Sequence, residues 1–298
     1  MEKAPTSFDP RALAKLNGLK LRARHIAEGY LVGAHRNPRA GFSSEFAEHR
    51  EYVPGDDLRY LDWKVFGRTD KFYLKRFEDE TNLLCYLAAD CSESLSYRGP
   101  DSAMSKWEYA QCLISALTWI VLRQQDSVGL VQFSDKIERV IDATNRTLVF
   151  EQIVDSLEKQ QTTSKGAVGR SIHEIARRIE RRGIVILFSD FIDDVGEIRS
   201  ALRELRHRRC DVVMFQLLDP AELDLPFEAP TLFNGLEGLG HLRVDPAALR
   251  SAYREEINSF TQQLRATARE LGISYLLVRT DEPFDWVLRR FLVGRRDA

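Results

Sequence analysis

Asp90, Ser92 and Ser94 occupy alternate positions directly after the apolar run Leu83-Leu84-Cys85-Tyr86-Leu87-Ala88-Ala89. One carboxylate and two neutral hydroxyls are hard oxygen donors, the kind that suits Mg²⁺ or Mn²⁺. The same residue types also populate turns and helix N-caps, so the pattern takes its meaning from its surroundings. An apolar run of this length reads as a strand buried on both faces of a parallel sheet, and open α/β sheets keep their ligands beyond the carboxyl ends of their strands. A second run, Ile184 to Phe188, ends in Ser189-Asp190, with Asp193 and Asp194 close behind. The polar stretch Thr162-Thr163-Ser164-Lys165-Gly166 lies between the two. Loops at one sheet edge can therefore bring two acids and several hydroxyls together.

Other chemistries lack their residues. The alternative to a binding site is a metal-dependent hydrolase or phosphotransferase using Asp90. Dehalogenase-type phosphatases need a second acid two residues after the nucleophile, where Ser92 stands. The chain has no G-x-S-x-G elbow and no G-x-x-x-x-G-K-[ST] loop, so ATP chemistry would have to come from a partner. Gly235, Gly238 and Gly240 do not follow a strand and open a helix, which argues against a dinucleotide loop. His49 and His173 have no triad context. Cys85, Cys91, Cys112 and Cys210 are scattered without a C-x-x-C pair, and the expected compartment is the reducing cytoplasm. At 298 residues, 44% hydrophobic and 30% charged, with a net charge of −2, the chain reads as globular, with no global reason to bind nucleic acid. Arg177, Arg178, Arg181 and Arg182 are interleaved with Glu174 and Glu180, as on a solvated helix face. No run of about 18 apolar residues is available to span a membrane.

The elements that must position the donors alternate. Asp9-Pro10 opens one or two helices before Gly29, with Asp9 as N-cap. Trp107, Ala110, Leu113, Ile114, Leu117, Ile120 and Val121 have helical spacing across Lys106 to Gln124. Strands are predicted at Ser127 to Phe133, Val212 to Leu218 and Tyr275 to Val278, with a short antiparallel edge at Ile137 to Ile141. Helices are predicted from Leu148 to Leu157, over Ile172 to Ile179, through Leu202 and Leu205, from Pro246 to Leu271 and from Phe284 to Phe291. A hairpin insertion is expected near 227–245. This is the pattern of an α/β fold with a doubly wound, mostly parallel sheet. We expect a core over 81–298 and an N-terminal helical and aromatic-basic extension over 1–80.

The ordered set Asp-x-Ser-x-Ser, helix, strand, polar loop, strand and Ser-Asp resembles a von Willebrand factor A-type domain. The stretch Gly41 to Phe46, Arg50-Glu51-Tyr52, Pro54-Gly55-Asp56-Asp57, Arg59, Asp62-Trp63 and Arg68 is similar to the signature of a bacterial family, domain of unknown function 58. The likeness continues through Lys75-Arg76-Phe77-Glu78, Lys106-Trp107-Glu108-Tyr109-Ala110 and Asp126-Ser127-Val128-Gly129-Leu130, and departs at Ser43, where a glycine is usual.

The resemblance implies a metal-ion-dependent adhesion site. Ser92 and Ser94 would bind the cation directly, and Asp90 and Asp190 mainly through water. A site of this kind docks a partner's acidic side chain instead of catalysing. The family's middle-loop Thr falls at Gly166 when counted back from Ser171-Ile172, with Thr162, Thr163 and Ser164, two to four residues earlier, the substitutes if the loop is longer. The resemblance further implies an adaptor role beside a MoxR-type AAA+ ATPase. Arg50, Tyr52, Asp56, Asp57, Arg59 and Trp63 form either a structural clasp of ion pairs and aromatics or a second interaction surface.

Overall fold

The computed structural model describes residues 8–35, 49–51, 73–75, 83–162, 165–236, 238 and 240–294. The chain enters through α1 (Pro10–Leu13) and α2 (Leu19–His35). Asp9 caps α1 as its position predicts, its carboxylate accepting from Arg11 N at 2.7 Å. Two short strands follow, β1 (His49–Glu51) and β2 (Tyr73–Lys75), paired antiparallel with Arg50 opposite Leu74. By internal contacts 41–82 form one unit and 1–40 with 83–298 the other. The two early helices thus belong with the main sheet.

The main unit begins with β3 (Leu84–Asp90), followed by a 3₁₀ turn (Glu93–Ser96) and α3 (Lys106–Arg123). β4 (Ser127–Phe133) and β5 (Ile137–Thr144) come next, then α4 (Leu148–Lys159) and α5 (Val168–Arg178). β6 (Ile184–Ser189), α6 (Val195–His207), β7 (Asp211–Leu218) and the short α7 (Pro220–Asp224) continue the alternation. The expected hairpin is present as β8 (Thr231–Asn234) and β9 (His241–Val244). α8 (Pro246–Glu270), β10 (Ser274–Arg279) and α9 (Phe284–Gly294) complete the fold.

The six-stranded sheet has the order β10-β7-β6-β3-β4-β5, parallel except for the antiparallel edge strand β5. Strand β3 sits inside the sheet, and four of its seven residues in a row, Leu87 to Asp90, are buried. Alternate side chains serve opposite layers, as the pleat requires. Val185, Leu187, Val212 and Met214 pack with Ile172 and Ile175 of α5, Leu202 and Leu205 of α6 and Leu264 of α8. On the other face Phe188 stacks on Phe215 at 4.9 Å, Phe215 meets Phe291 of α9 edge-on, and Tyr109 of α3 stacks on Phe284. The fold is a doubly wound, von Willebrand factor A-like α/β domain. From β3 the chain moves towards β4, and from β6 it moves the opposite way to β7. The carboxyl ends of β3 and β6 therefore flank a topological switch point, the place where such sheets form a crevice.

Candidate functional site at the sheet edge

Asp90 is the last residue of β3 and is only 1% exposed. Its Oδ1 accepts from Ser92 N at 2.9 Å, closing a tight turn, and its Oδ2 accepts from Ser189 Oγ at 2.6 Å. The second bond joins the two strand ends singled out in the sequence. Burial, and then the charge of Asp190, push the Asp90 carboxyl up to about 7. The hydroxyls of Ser92 and Ser94 lie 3.0 Å apart.

Asp190 follows β6 and is 2% exposed. The turn carrying it is held by Ser189 Oγ, which accepts from Phe191 N at 2.9 Å, and by Asp190 Oδ1, which accepts from Ile192 N at 3.2 Å. Phe191 adopts a left-handed φ of 58°, unusual for a bulky residue, and its ring is fully buried in the core. Backbone strain of this kind costs on the order of 1–3 kcal/mol and persists where the surroundings impose it. Ile192, next in the chain, is 58% exposed beside the buried acids.

Sequence reasoning missed Lys106 as a site residue. It is fully buried at the first turn of α3, and its Nζ donates to Asp190 Oδ2 at 2.8 Å and to Glu222 Oε1 at 2.7 Å. Burial alone would lower the lysine's pKa, but the two carboxylates outweigh it and the ammonium is held above its ordinary value. Burial raises Glu222, against the pull of Lys106. A signal was available: a cation in a helix's first turn opposes the macrodipole, so Lys106 directly after the N-cap Ser105 needed a partner. Asp219, likewise missed, is fully buried. It accepts from Gly99 N at 3.0 Å, Ala221 N at 2.8 Å and Thr280 Oγ1 at 3.2 Å, tying the β3 loop to the ends of β7 and β10.

The middle loop reaches the same edge through backbone. Ala167 N donates to Ser134 O at 3.2 Å, while Cys91 N donates to Phe133 O at 2.7 Å. Gly166 is partly buried just before α5. Thr163, Tyr52, Asp56, Asp57, Arg59 and Trp63 lie outside the described residues, and Arg50 is described only as part of β1.

The donor chemistry fits a hard dication. Neighbouring ligands of an octahedral ion with bonds of about 2.1 Å stand about 3.0 Å apart, close to the Ser92–Ser94 separation. Among the described residues no three or more His, Cys, Asp or Glu side chains are grouped so that they could hold a metal ion. Any cation here would therefore depend on the serine hydroxyls.

The fold is of the von Willebrand factor A-like class. Residues 48–263 match the model of the family described as Protein of unknown function DUF58, and the chain belongs to that family. Uncharacterized proteins of Mycobacterium bovis and Mycobacterium tuberculosis are 27% identical over 295 residues, covering 97% of this chain and 91% of theirs. Among solved structures, a conserved hypothetical protein, BatB from Bacteroides thetaiotaomicron, is 17% identical, with 72% of this chain and 100% of that one covered at a TM-score of 0.47. An aerotolerance-related membrane protein from Bacteroides fragilis is 19% identical, with 71% and 99% covered at 0.44. The SpRpn10 VWA domain is 10% identical, with 70% and 94% covered at 0.42. Among the described residues no helix is long and apolar enough to cross a membrane.

Proposed function

We propose that this protein is a non-enzymatic interaction module, an adaptor that docks an acidic side chain of a protein partner at the carboxyl edge of its sheet. The observation that carries the reading is the donor set: two adjacent neutral hydroxyls, Ser92 and Ser94, over two buried acids, Asp90 and Asp190. These four residues would hold Mg²⁺ or Mn²⁺, and the bound ion would supply an open vertex for the partner's carboxylate. Neutral hydroxyls leave a dication's charge incompletely compensated, which favours an anionic ligand from outside. Asp90 is a poor candidate nucleophile, since Ser92 stands where a phosphatase needs its second acid. Exposed Ile192 offers the partner an apolar contact beside the site.

The partner class we propose is a MoxR-type AAA+ ATPase, with the pair working in the cytoplasm. The four cysteines are all free thiols, in keeping with a reducing compartment. The test is twofold. Thermal unfolding of the full chain with Mg²⁺ or Mn²⁺ against chelator should show a metal-dependent rise that Asp90→Ala abolishes. Size-exclusion chromatography with a purified MoxR-type ATPase should show co-elution that requires both the cation and nucleotide. Absence of a complex even after chemical crosslinking would count against the partner class, and phosphatase or esterase turnover lost in Asp90→Ala would favour the enzyme.

A further inference from the structure

Beside the sheet edge lies a concavity of about 510 Å³, formed by α7, the β8–β9 hairpin and α8. Leu225, Phe227, Phe233, Leu242, Leu249 and Tyr253 supply most of its wall. Its shape is built in. Arg250 of α8 donates to Leu225 O at 3.0 Å and to Phe227 O at 2.9 Å, Phe227 meets Phe233 edge-on at 5.4 Å, and Tyr253 Oη donates to Glu222 O at 2.7 Å. Leu242 and Leu249 are 63% and 47% exposed, so the trough opens to solvent along leucines that nothing described covers. A volume of this size is typical of ligand sites, and bulky exposed leucines around one concavity mark a binding surface better than scattered ones do.

Two features narrow the occupant. The charged side chains in the wall are both carboxylates, Glu222 and Glu256. Both oxygens of Glu222 are engaged, one by Lys106 and one by Asp219 N, whereas exposed Glu256 makes no ion pair with a described residue. With Glu222 neutralised by Lys106, the open carboxylate of Glu256 is what disfavours an anionic head group in the wall and attracts a cation next to an apolar group. We infer that the trough binds a peptide segment of a protein partner that carries a bulky apolar side chain close to a lysine or arginine. The apolar side chain fills the space between the hairpin and α8, and the cation meets Glu256. The trough also adjoins the sheet-edge site: Tyr97, in its wall, is three residues past Ser94, and Glu222 is linked through Lys106 to Asp190. The inference does not depend on cation binding at that site.

The test is selection of a random twelve-residue phage-displayed library on the full chain, followed by fluorescence anisotropy with synthetic versions of the enriched peptides. Enriched peptides should pair a Leu, Ile, Phe or Trp with a Lys or Arg within four positions. Leu242→Asp or Leu249→Asp should weaken them at least tenfold. Glu256→Lys should weaken basic peptides and shift selection towards acidic ones. Ser94→Ala should leave binding unchanged, which separates this trough from the docking site. All the substituted trough residues are solvent-exposed, and an unchanged melting temperature verifies folding. Peptides insensitive to the Leu242, Leu249 and Glu256 variants would overturn the inference. So would an absence of enriched peptides, and saturable binding of dodecanoate or phosphatidylcholine vesicles would then assign the trough to lipid.

Discussion

Lys106 Nζ and Asp190 Oδ2 form a buried ion pair of 2.8 Å that joins the first turn of α3 to the loop leaving β6. The second bond of the lysine, to Glu222, extends the link to α7. The ammonium neutralises one carboxylate of this cluster.

Replacing Lys106 by Met should destabilise the fold strongly, since it strands Asp190 and Glu222 without their counter-charge. Breaking one side of a buried pair costs about 3–5 kcal/mol. Adding Glu222→Gln to the same chain should recover part of the loss, because one of the stranded charges is removed with it. Urea unfolding of the single and double variants measures the coupling. Equal stability of wild type and Lys106→Met would mean that the pair contributes nothing.

Ser92→Ala and Ser94→Ala should each leave the chain folded and lower the Mg²⁺- or Mn²⁺-dependent rise in melting temperature. The loss should be largest in the double variant. Stabilisation by a ligand specific to the native state grows as the logarithm of its concentration over Kd, so a hundredfold weaker site loses about 2.7 kcal/mol at saturating metal. Calorimetric scans across metal concentrations read it directly. An undiminished rise in the double variant would place the ion elsewhere.

Stability without metal should fall as pH rises from about 4 to about 7. The ordinary Asp value is 3.8, and Asp90 in the folded chain sits near 7. In that window the folded state keeps a proton that the unfolded chain has released, so rising pH favours unfolding. The effect is on the order of 4 kcal/mol at its full extent, because each tenfold difference in proton affinity between the two states is worth about 1.4 kcal/mol. Asp90→Asn should flatten this slope in denaturant titrations done with chelator. Metal added at pH 7 should release protons, measurable as a buffer-dependent binding enthalpy.

Gly129→Ala should weaken the pairing of β4 with β5. A methyl group at this position would meet Ile141 O at 2.7 Å and Ala143 N at 2.8 Å, both backbone atoms of the neighbouring strand. Overpacking of this kind costs about 1–3 kcal/mol. Faster hydrogen exchange confined to Ile137–Thr144 would locate the damage.

Much of the fold is legible in the sequence because its signals are local. The buried strands read as apolar runs, the long helices as helical spacing, and the hairpin as glycines between short apolar stretches. The antiparallel edge is recognisable at Ile137 to Ile141, though β5 continues to Thr144. The alternate spacing of Asp90, Ser92 and Ser94 likewise places those three together, since a single turn holds them. Lys106 can be quoted as part of a family motif without its role being seen. Its partners lie 84 and 116 positions away, and no pattern along the chain records that distance.

By itself, then, the sequence determined the alternation of strands and helices, the buried central run and the acid-and-hydroxyl ends of two strands. These follow from side-chain periodicity and backbone preference within a few residues. Only the tertiary structure decided which groups would balance one another's charge. The winding order makes β3 and β6 neighbours, lets Ser189 bind Asp90, and brings α3 and α7 in so that one lysine serves Asp190 and Glu222. Charge in a buried site is set by whatever packing brings within a few ångströms, and packing joins residues that the chain keeps far apart.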